Sequence, residues 1–243
     1  MKAFSITDVG QKRHVNQDYV FCSETAIGEF PNLFLVADGM GGHNAGDYAS
    51  RFCVEEFIKR IQNSKEKTYI GKIETAITQT NEALLEQARR HPEFEGMGTT
   101  FVFASIIESI LYIANIGDSR LYLLRETIHQ ITEDHSLVEQ MVRKGELLRE
   151  EARFHPNKNV IKRALGGTNL VNADYFEVPI ITGDMVLMCS DGLSNMLDDT
   201  EIFQIVTEYK EDLKTAGEQL VSRANENGGK DNISIILIAY GDN

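Results

Sequence analysis

Five aspartates stand where apolar runs begin or end. Asp38 closes "LFLVAD", Asp118 follows "ILYIANIG", Asp191 follows "MVLMCS", Asp231 lies just ahead of "ISIILIAY", and Asp18 precedes "YVF". Acids at strand edges can converge from distant parts of a sheet, and gathered carboxylates repel one another unless a cation sits among them. Glycine follows Asp38 and Asp191, which leaves the next backbone carbonyl free to approach a hard ion such as Mg²⁺ or Mn²⁺. One Asp-Gly pair taken alone reads as a turn. Five acids with such flanks point instead to a metal site.

The stretch "ADGMGGHNAGDYAS" (37–50) has a competing use, a backbone cradle for phosphate. A Walker loop spaced from Gly41 to Gly46 would need Lys and Ser or Thr next, and Asp47 and Tyr48 follow. A dinucleotide fingerprint from Gly39 would need glycine at 44, which is Asn44. Both templates fail at the residues that carry their chemistry.

The elements that must position these acids are short. Strand-like runs rich in Ile, Val, Phe and Tyr occur at "KAFSIT", "LFLVA", "TFVFASII", "ILYIANI", "RLYLL", "MVLMCS" and "ISIILIAY". Only "ES" separates the third from the fourth, a tight hairpin, and "GDS" separates the fourth from the fifth, which extends the reading to an antiparallel meander. Helical spacing of apolar residues runs through 45–62 and 70–90, and a last helix near 212–227 meets Gly228 as its stop. Hairpins without strict strand–helix alternation predict sheets with helices packed outside, not a doubly wound parallel sheet. Residues 137–163 are charged and only weakly periodic, and read as an exposed flap or insertion.

Bulk properties narrow the function. The chain has 243 residues, 42% hydrophobic and 25% charged, with a net charge of −13. That acidity argues against a nucleic-acid partner, which needs a lysine and arginine footprint. The opening segment reaches Asp8 before any long apolar stretch, and no run approaches the ~20 residues of a membrane helix. Cys22, Cys53 and Cys189 cannot all pair and form no C-x-x-C, so they are expected as reduced core residues of a cytoplasmic protein. No H-x-x-x-H spacing supports zinc.

Taken in order, "RHVNQD" (13–18), "DGMGGH" (38–43), "GTT" (98–100), "GDSR" (117–120), "TEDH" (132–135), "LGG" (165–167), "SDGL" (190–193) and "DNIS" (231–234) resemble the bacterial branch of the metal-dependent serine/threonine protein phosphatases, type 2C (the PPM family). The resemblance covers about residues 5–240. It implies an α+β fold, a central sandwich of two antiparallel sheets flanked by pairs of helices, as one phosphatase domain over 1–243 with a flap at about 137–163. It implies two Mn²⁺ or Mg²⁺ ions, with Asp38 bridging them, Asp191 and Asp231 on the first, and the Gly39 carbonyl and Asp18 (through water) on the second. Asp118 with Asp191 matches a third metal position of bacterial members.

The implied reaction is hydrolysis of phosphoserine and phosphothreonine by a hydroxide held between ions about 3.5–4 Å apart, with no covalent phospho-enzyme. Asp38, Asp191 and Asp231 would be the catalytic acids in the sense that they hold those ions. Arg13 would bind the substrate phosphate. Met40 occupies the place where some members carry a general-acid histidine. His43, three residues on, is left to touch substrate, cap the next helix or take no part, and a metal-bound water is the other proton source. Asp134-His135 is expected to start a helix, and Thr99, Thr100 and Ser190 to be structural. Expected partners are phosphorylated proteins, including a bacterial Ser/Thr kinase, with the chain itself a monomer. Two rival readings remain. One keeps the chemistry on a small phosphoester or a phosphorylated anti-sigma antagonist; the other is a silent phosphoprotein-binding module.

Overall fold

Most of the apolar runs form strands whose two faces are both covered. In the computed structural model, which describes residues 1–42 and 45–241, the strands in chain order are β1 (Lys2–Asp8), β2 (Asp18–Ser23), β3 (Leu33–Met40), β4 (Gly98–Thr99), β5 (Phe101–Ile107), β6 (Ile110–Ile116), β7 (Arg120–Leu124), β8 (Ile128–Gln130), β9 (Asp174–Pro179), β10 (Met185–Cys189) and β11 (Ile233–Ala239). The helices are α1 (Ala45–Gln62), α2 (Tyr69–Arg90), α3 (Leu137–Arg143), α4 (Arg149–Ala152), α5 (Asp191–Ser194), α6 (Asp199–Glu208) and α7 (Leu213–Glu226).

Two antiparallel sheets result, ordered β1-β11-β10-β7-β8 and β2-β3-β5-β6-β9, with β4 paired to β3. Alternate residues of one strand serve different layers. Leu33, Leu35 and Ala37 of β3 pack with Phe57, Ile73 and Leu84 of α1 and α2, while Phe34 and Val36 meet Val186, Met188 and Ile236 of the other sheet. On the far side, Leu187, Ile235 and Leu237 pack under Ile202, Leu220 and Ala224 of α6 and α7. This is the α-β-β-α layering that the resemblance implied. A strand enclosed on both faces shows no polar alternation, which is why these runs read as continuous apolar blocks.

The helices begin and end on local chemistry. Thr68 caps α2 by accepting from the Gly71 N–H at 3.1 Å, and its buried face carries Ile73, Ala76, Ile77 and Leu84. Phe57 of α1 sits 4.9 Å from the Phe101 ring, and full burial of such a side chain contributes about 1.5–3 kcal/mol. Asp198 caps α6 in a reciprocal box with Glu201. Helix α7 ends at Glu226, and Gly228 and Gly229, both at positive φ, turn the chain toward Asp231.

The "ES" hairpin forms as expected. Glu108 and Ser109 both adopt positive φ, as a two-residue hairpin turn of this hand requires. The meander does not extend further. β6 pairs with β5 and β9, whereas β7 pairs with β10 and β8, so "GDS" crosses from one sheet to the other. Its Gly117 N–H is taken by the His135 ring, and Ser119 bonds to Thr100 of the opposite sheet. Residues 137–163 hold two short helices and no strand, with Leu148, Phe154 and Val160 exposed. Among the described residues no helix is long and apolar enough to cross a membrane.

Candidate metal centre

Antiparallel pairing delivers the five aspartates to one end of the sandwich. Asp18 opens β2 and is the Cα partner of Asp38 in β3. In the other sheet Cys189, the last residue of β10, pairs with Ile235 near the start of β11 and with Arg120, the first residue of β7. Asp191, Asp231 and Asp118 flank those residues and therefore emerge at a common end.

Hydrogen bonds tie the two sheets together at this end. The Ser190 hydroxyl donates to Asp18 Oδ2 at 2.8 Å and accepts from the Ser234 N–H at 3.0 Å. Thr100 Oγ1 accepts from the Asp38 N–H at 2.9 Å and lies 2.7 Å from Ser119 Oγ. Thr99 Oγ1 donates to the Asp38 carbonyl, and its backbone exchanges both hydrogen bonds with Leu165, joining the "GTT" and "LGG" segments. The threonines and Ser190 thus do more than fill strands and turns: Thr99 and Thr100 fix the Asp38 backbone, and Ser190 holds the Asp18 carboxylate. Asn232 holds the 9–17 loop, accepting from the Gln17 N–H and donating to the Val9 and Val15 carbonyls.

Close backbone approach explains two of the glycines. A Cβ on Gly39 would collide with the Gly46 carbonyl oxygen at the start of α1, and one on Gly192 would collide with the Asn232 carbonyl oxygen. The "DG" pairs are therefore places where neighbouring loops press onto the acids.

The electrostatics are those of carboxylates without enough positive charge. Asp18 and Asp118 are buried, and Asp38, Asp191 and Asp231 half-buried. Burial first, then repulsion from Asp18, Asp191, Asp118 and Asp231, holds Asp38 well above the usual carboxylate range. Burial and the Asp191 charge do the same for Asp118. Burial pushes Asp18 up to about 7 against the opposing hydrogen bond from Ser190, and burial with the Asp231 charge pushes Asp191 up to about 6.

Asp118 Oδ1 and Asp191 Oδ1 are buried and find no hydrogen-bond partner among the described residues. Orphaned carboxylate oxygens among like charges have the unmet demand that a divalent cation fills. Among the described residues no three acid, histidine or cysteine side chains are yet closed into a chelating cluster. The donor set is all oxygen, which fits Mg²⁺ or Mn²⁺ rather than zinc.

The remaining expected residues are placed as follows. Arg13, half-exposed, donates to Asp231 Oδ2 at 2.7 Å, so it stands at the rim of the acid cluster. His43 lies outside the described residues. Asp134 and His135 do not cap α3; Ser136 does, accepting from the Glu139 N–H. Asp134 instead takes a forked contact from Arg120, and the His135 ring is committed to Gly117 and Asp174. Beside Asp118 and Asp191 opens a cleft of about 420 Å³, also lined by Arg153 and Lys158. Lys158 and Asn195, which bonds Asp191 Oδ2, were not singled out from the sequence. The available signal was the four-residue step from Asp191 to Asn195, meaningful only once 191–195 is seen to be helical.

Comparison with known proteins adds independent support. The chain matches the family model described as protein phosphatase 2C over residues 10–235. It is 40% identical over 237 residues to the serine/threonine phosphatase stp of Listeria welshimeri, spanning 96% of this chain and 93% of that one. The crystal structure of the serine/threonine phosphatase Stp1 from Staphylococcus aureus superposes with a TM-score of 0.91 at 34% identity, covering 99% of this chain and 95% of Stp1. The catalytic domain of the serine/threonine protein phosphatase PstP, solved with two manganese ions, superposes at 0.86 with 30% identity and coverage of 99% and 98%. Sequence, fold and comparison agree that the chain belongs to the protein phosphatase 2C family and is a metal-dependent phosphatase of phosphoserine and phosphothreonine in proteins.

Proposed function

We propose that Asp38, Asp191 and Asp231 hold the two catalytic ions, with the Gly39 carbonyl and Asp18 completing the second position and Asp118 with Asp191 offering a third. The observation that carries this reading is the convergence of buried and half-buried, mutually repelling carboxylates with two orphaned oxygens at one end of the sandwich. The ions are Mn²⁺ or Mg²⁺, in keeping with the all-oxygen donor set and with the two manganese ions of PstP. When bound they supply charge stabilisation at the phosphoryl oxygens and an activated water at neutral pH.

The chain's own side chains do the rest. Asp18 is steadied by Ser190, and Asp38 by Thr99 and Thr100. Arg13 leaves Asp231 to fork onto the substrate phosphate, a geometry its planar guanidinium suits. The 1–243 chain acts as one phosphatase domain, and residues 137–163 form its flap beside the cleft. Its substrates are the phosphoproteins of a Ser/Thr kinase and that kinase itself, in the cytoplasm, where free Cys22, Cys53 and Cys189 stay reduced.

The test is hydrolysis of a phosphothreonine peptide by purified protein with Mn²⁺, with EDTA, and with Asp38→Asn. Turnover that requires Mn²⁺ and vanishes in the variant supports the assignment. Full turnover by Asp38→Asn would refute it.

A further inference from the structure

Asp191 opens α5, so Asn195, one helical turn on, sits above it. Asn195 Nδ2 donates to Asp191 Oδ2 at 2.9 Å. The other half of the same amide, Oδ1, accepts from Lys158 Nζ at 3.0 Å, and the Asn195 backbone carbonyl accepts from Arg153 Nη2 at 3.4 Å. The two side-chain contacts require opposite ends of one amide. A flipped amide would face Lys158 with a donor and Asp191 with an acceptor, so each contact enforces the other.

Both cations come from the 153–158 stretch that lines the cleft. Phe154 is 84% exposed there, and Arg149 is already committed to Glu139 on α3. With Oδ2 engaged by Asn195, Asp191 retains Oδ1, a buried oxygen without a hydrogen-bond partner among the described residues. One side chain therefore sets both which carboxylate oxygen is left for a cation and where residues 153–158 rest.

We propose that Asn195 is a positioning residue that latches the 153–158 segment to Asp191, so that closure of this segment over the cleft and presentation of Asp191 Oδ1 to a divalent cation are linked. The inference rests on the reading of Asp191 as a metal ligand. Linkage runs both ways: cation binding must steady the segment by the same factor that the latched segment tightens cation binding.

The experiment is calorimetric Mn²⁺ titration of the full chain and of Asn195→Ala, Lys158→Ala, the double variant and Asp191→Asn, with chymotryptic cleavage after Phe154 followed with and without Mn²⁺. Asp191→Asn should lose a site. Asn195→Ala should weaken Mn²⁺ binding about 10-fold, the usual effect of removing a partner that orients a metal ligand. Lys158→Ala should weaken it in the wild-type background and not further in Asn195→Ala. Mn²⁺ should slow cleavage after Phe154 in the wild type and not in either single latch variant, and Lys158→Arg, which keeps a donor, should restore the protection.

If Asp191→Asn loses a site while Asn195→Ala and Lys158→Ala stay within about twofold of wild type, the level at which sites count as independent, the latch is wrong and the metal assignment stands. If Asp191→Asn binds Mn²⁺ as the wild type does, both fall. Should Asn195→Ala not fold, unchanged affinity and protection in Lys158→Ala, a half-exposed side chain, overturns the latch alone.

Discussion

Asp18 and Asp38 are direct cross-strand partners in the β2–β3 ladder, two carboxylates placed opposite one another at the mouth of the sandwich. Like charges in this relation are destabilising, and neither acid has a lysine or arginine among the groups that most shift it. A cation bound between them would relieve that repulsion, as the proposed metal site requires.

Asp38→Asn should therefore melt no lower than wild type in EDTA, and higher by up to about 1 kcal/mol. Mn²⁺ at a hundred times its dissociation constant should stabilise the wild type by about 2.7 kcal/mol and the variant by much less. Thermal melts of both proteins with and without Mn²⁺ decide this. An equal gain in both would remove Asp38 from the metal site.

Gly192→Ala should be costly without touching any charge. Its methyl would strike the Asn232 carbonyl oxygen, pushing apart the segments that carry Asp191 and Asp231. Overpacking of this kind costs about 1–3 kcal/mol, read as a lower urea midpoint, and it should be accompanied by weaker Mn²⁺ binding. A variant with reduced stability and unchanged Mn²⁺ affinity would mean that the two acids do not share an ion.

Arg13→Ala should raise KM for a phosphothreonine peptide about 10-fold, the low end for a charged hydrogen bond made by a half-exposed side chain. Mn²⁺ affinity should not weaken, because the variant frees Asp231 from its ion pair. Arg13→Lys, which lacks the planar fork, should fall between. Steady-state kinetics at saturating Mn²⁺ measure this, and an unchanged KM would leave Arg13 as a rim residue only.

Asp184 gives a pH dependence remote from the metal centre. Burial favours its neutral form, but the forked Arg125 contact and the Ile181 N–H outweigh that and hold its carboxyl below the usual range. The unfolded chain therefore takes up this proton first. The stabilisation is complete above the unfolded carboxylate pKa of about 3.9 and drains away as pH falls through the folded value. Asp184→Asn should lose about 1–3 kcal/mol at pH 7 and progressively less toward pH 3, in urea melts with EDTA. A loss independent of pH would show that packing, not charge, is what Asp184 supplies.

Much of this was legible in one dimension because it depends on local pattern. The periodicity of Ala49, Cys53, Phe57 and Ile61 is that of α1, and the "ES" between two apolar runs is a hairpin whatever surrounds it. The five aspartates could be found because each adjoins an apolar run or a glycine. The strand β9 was less visible: its "DYFEVP" pairs with β6 but packs at the sheet edge with exposed residues interleaved.

Chain order and residue type alone carried the phosphatase signature, the apolar runs and the five aspartates beside them. Tertiary structure decided what is close to what. It sent β7 across to the second sheet instead of continuing the meander, because Ser119 bonds Thr100 while Arg120 pairs with Cys189. It turned Ser190 from a turn residue into the brace of Asp18, 172 positions away, and put Lys158 in reach of Asp191 through Asn195. The physical reason is that a hydrophobic pattern records only which face of an element is buried. A hydrogen bond between side chains brought together by the closing of two sheets leaves no periodic trace in either segment.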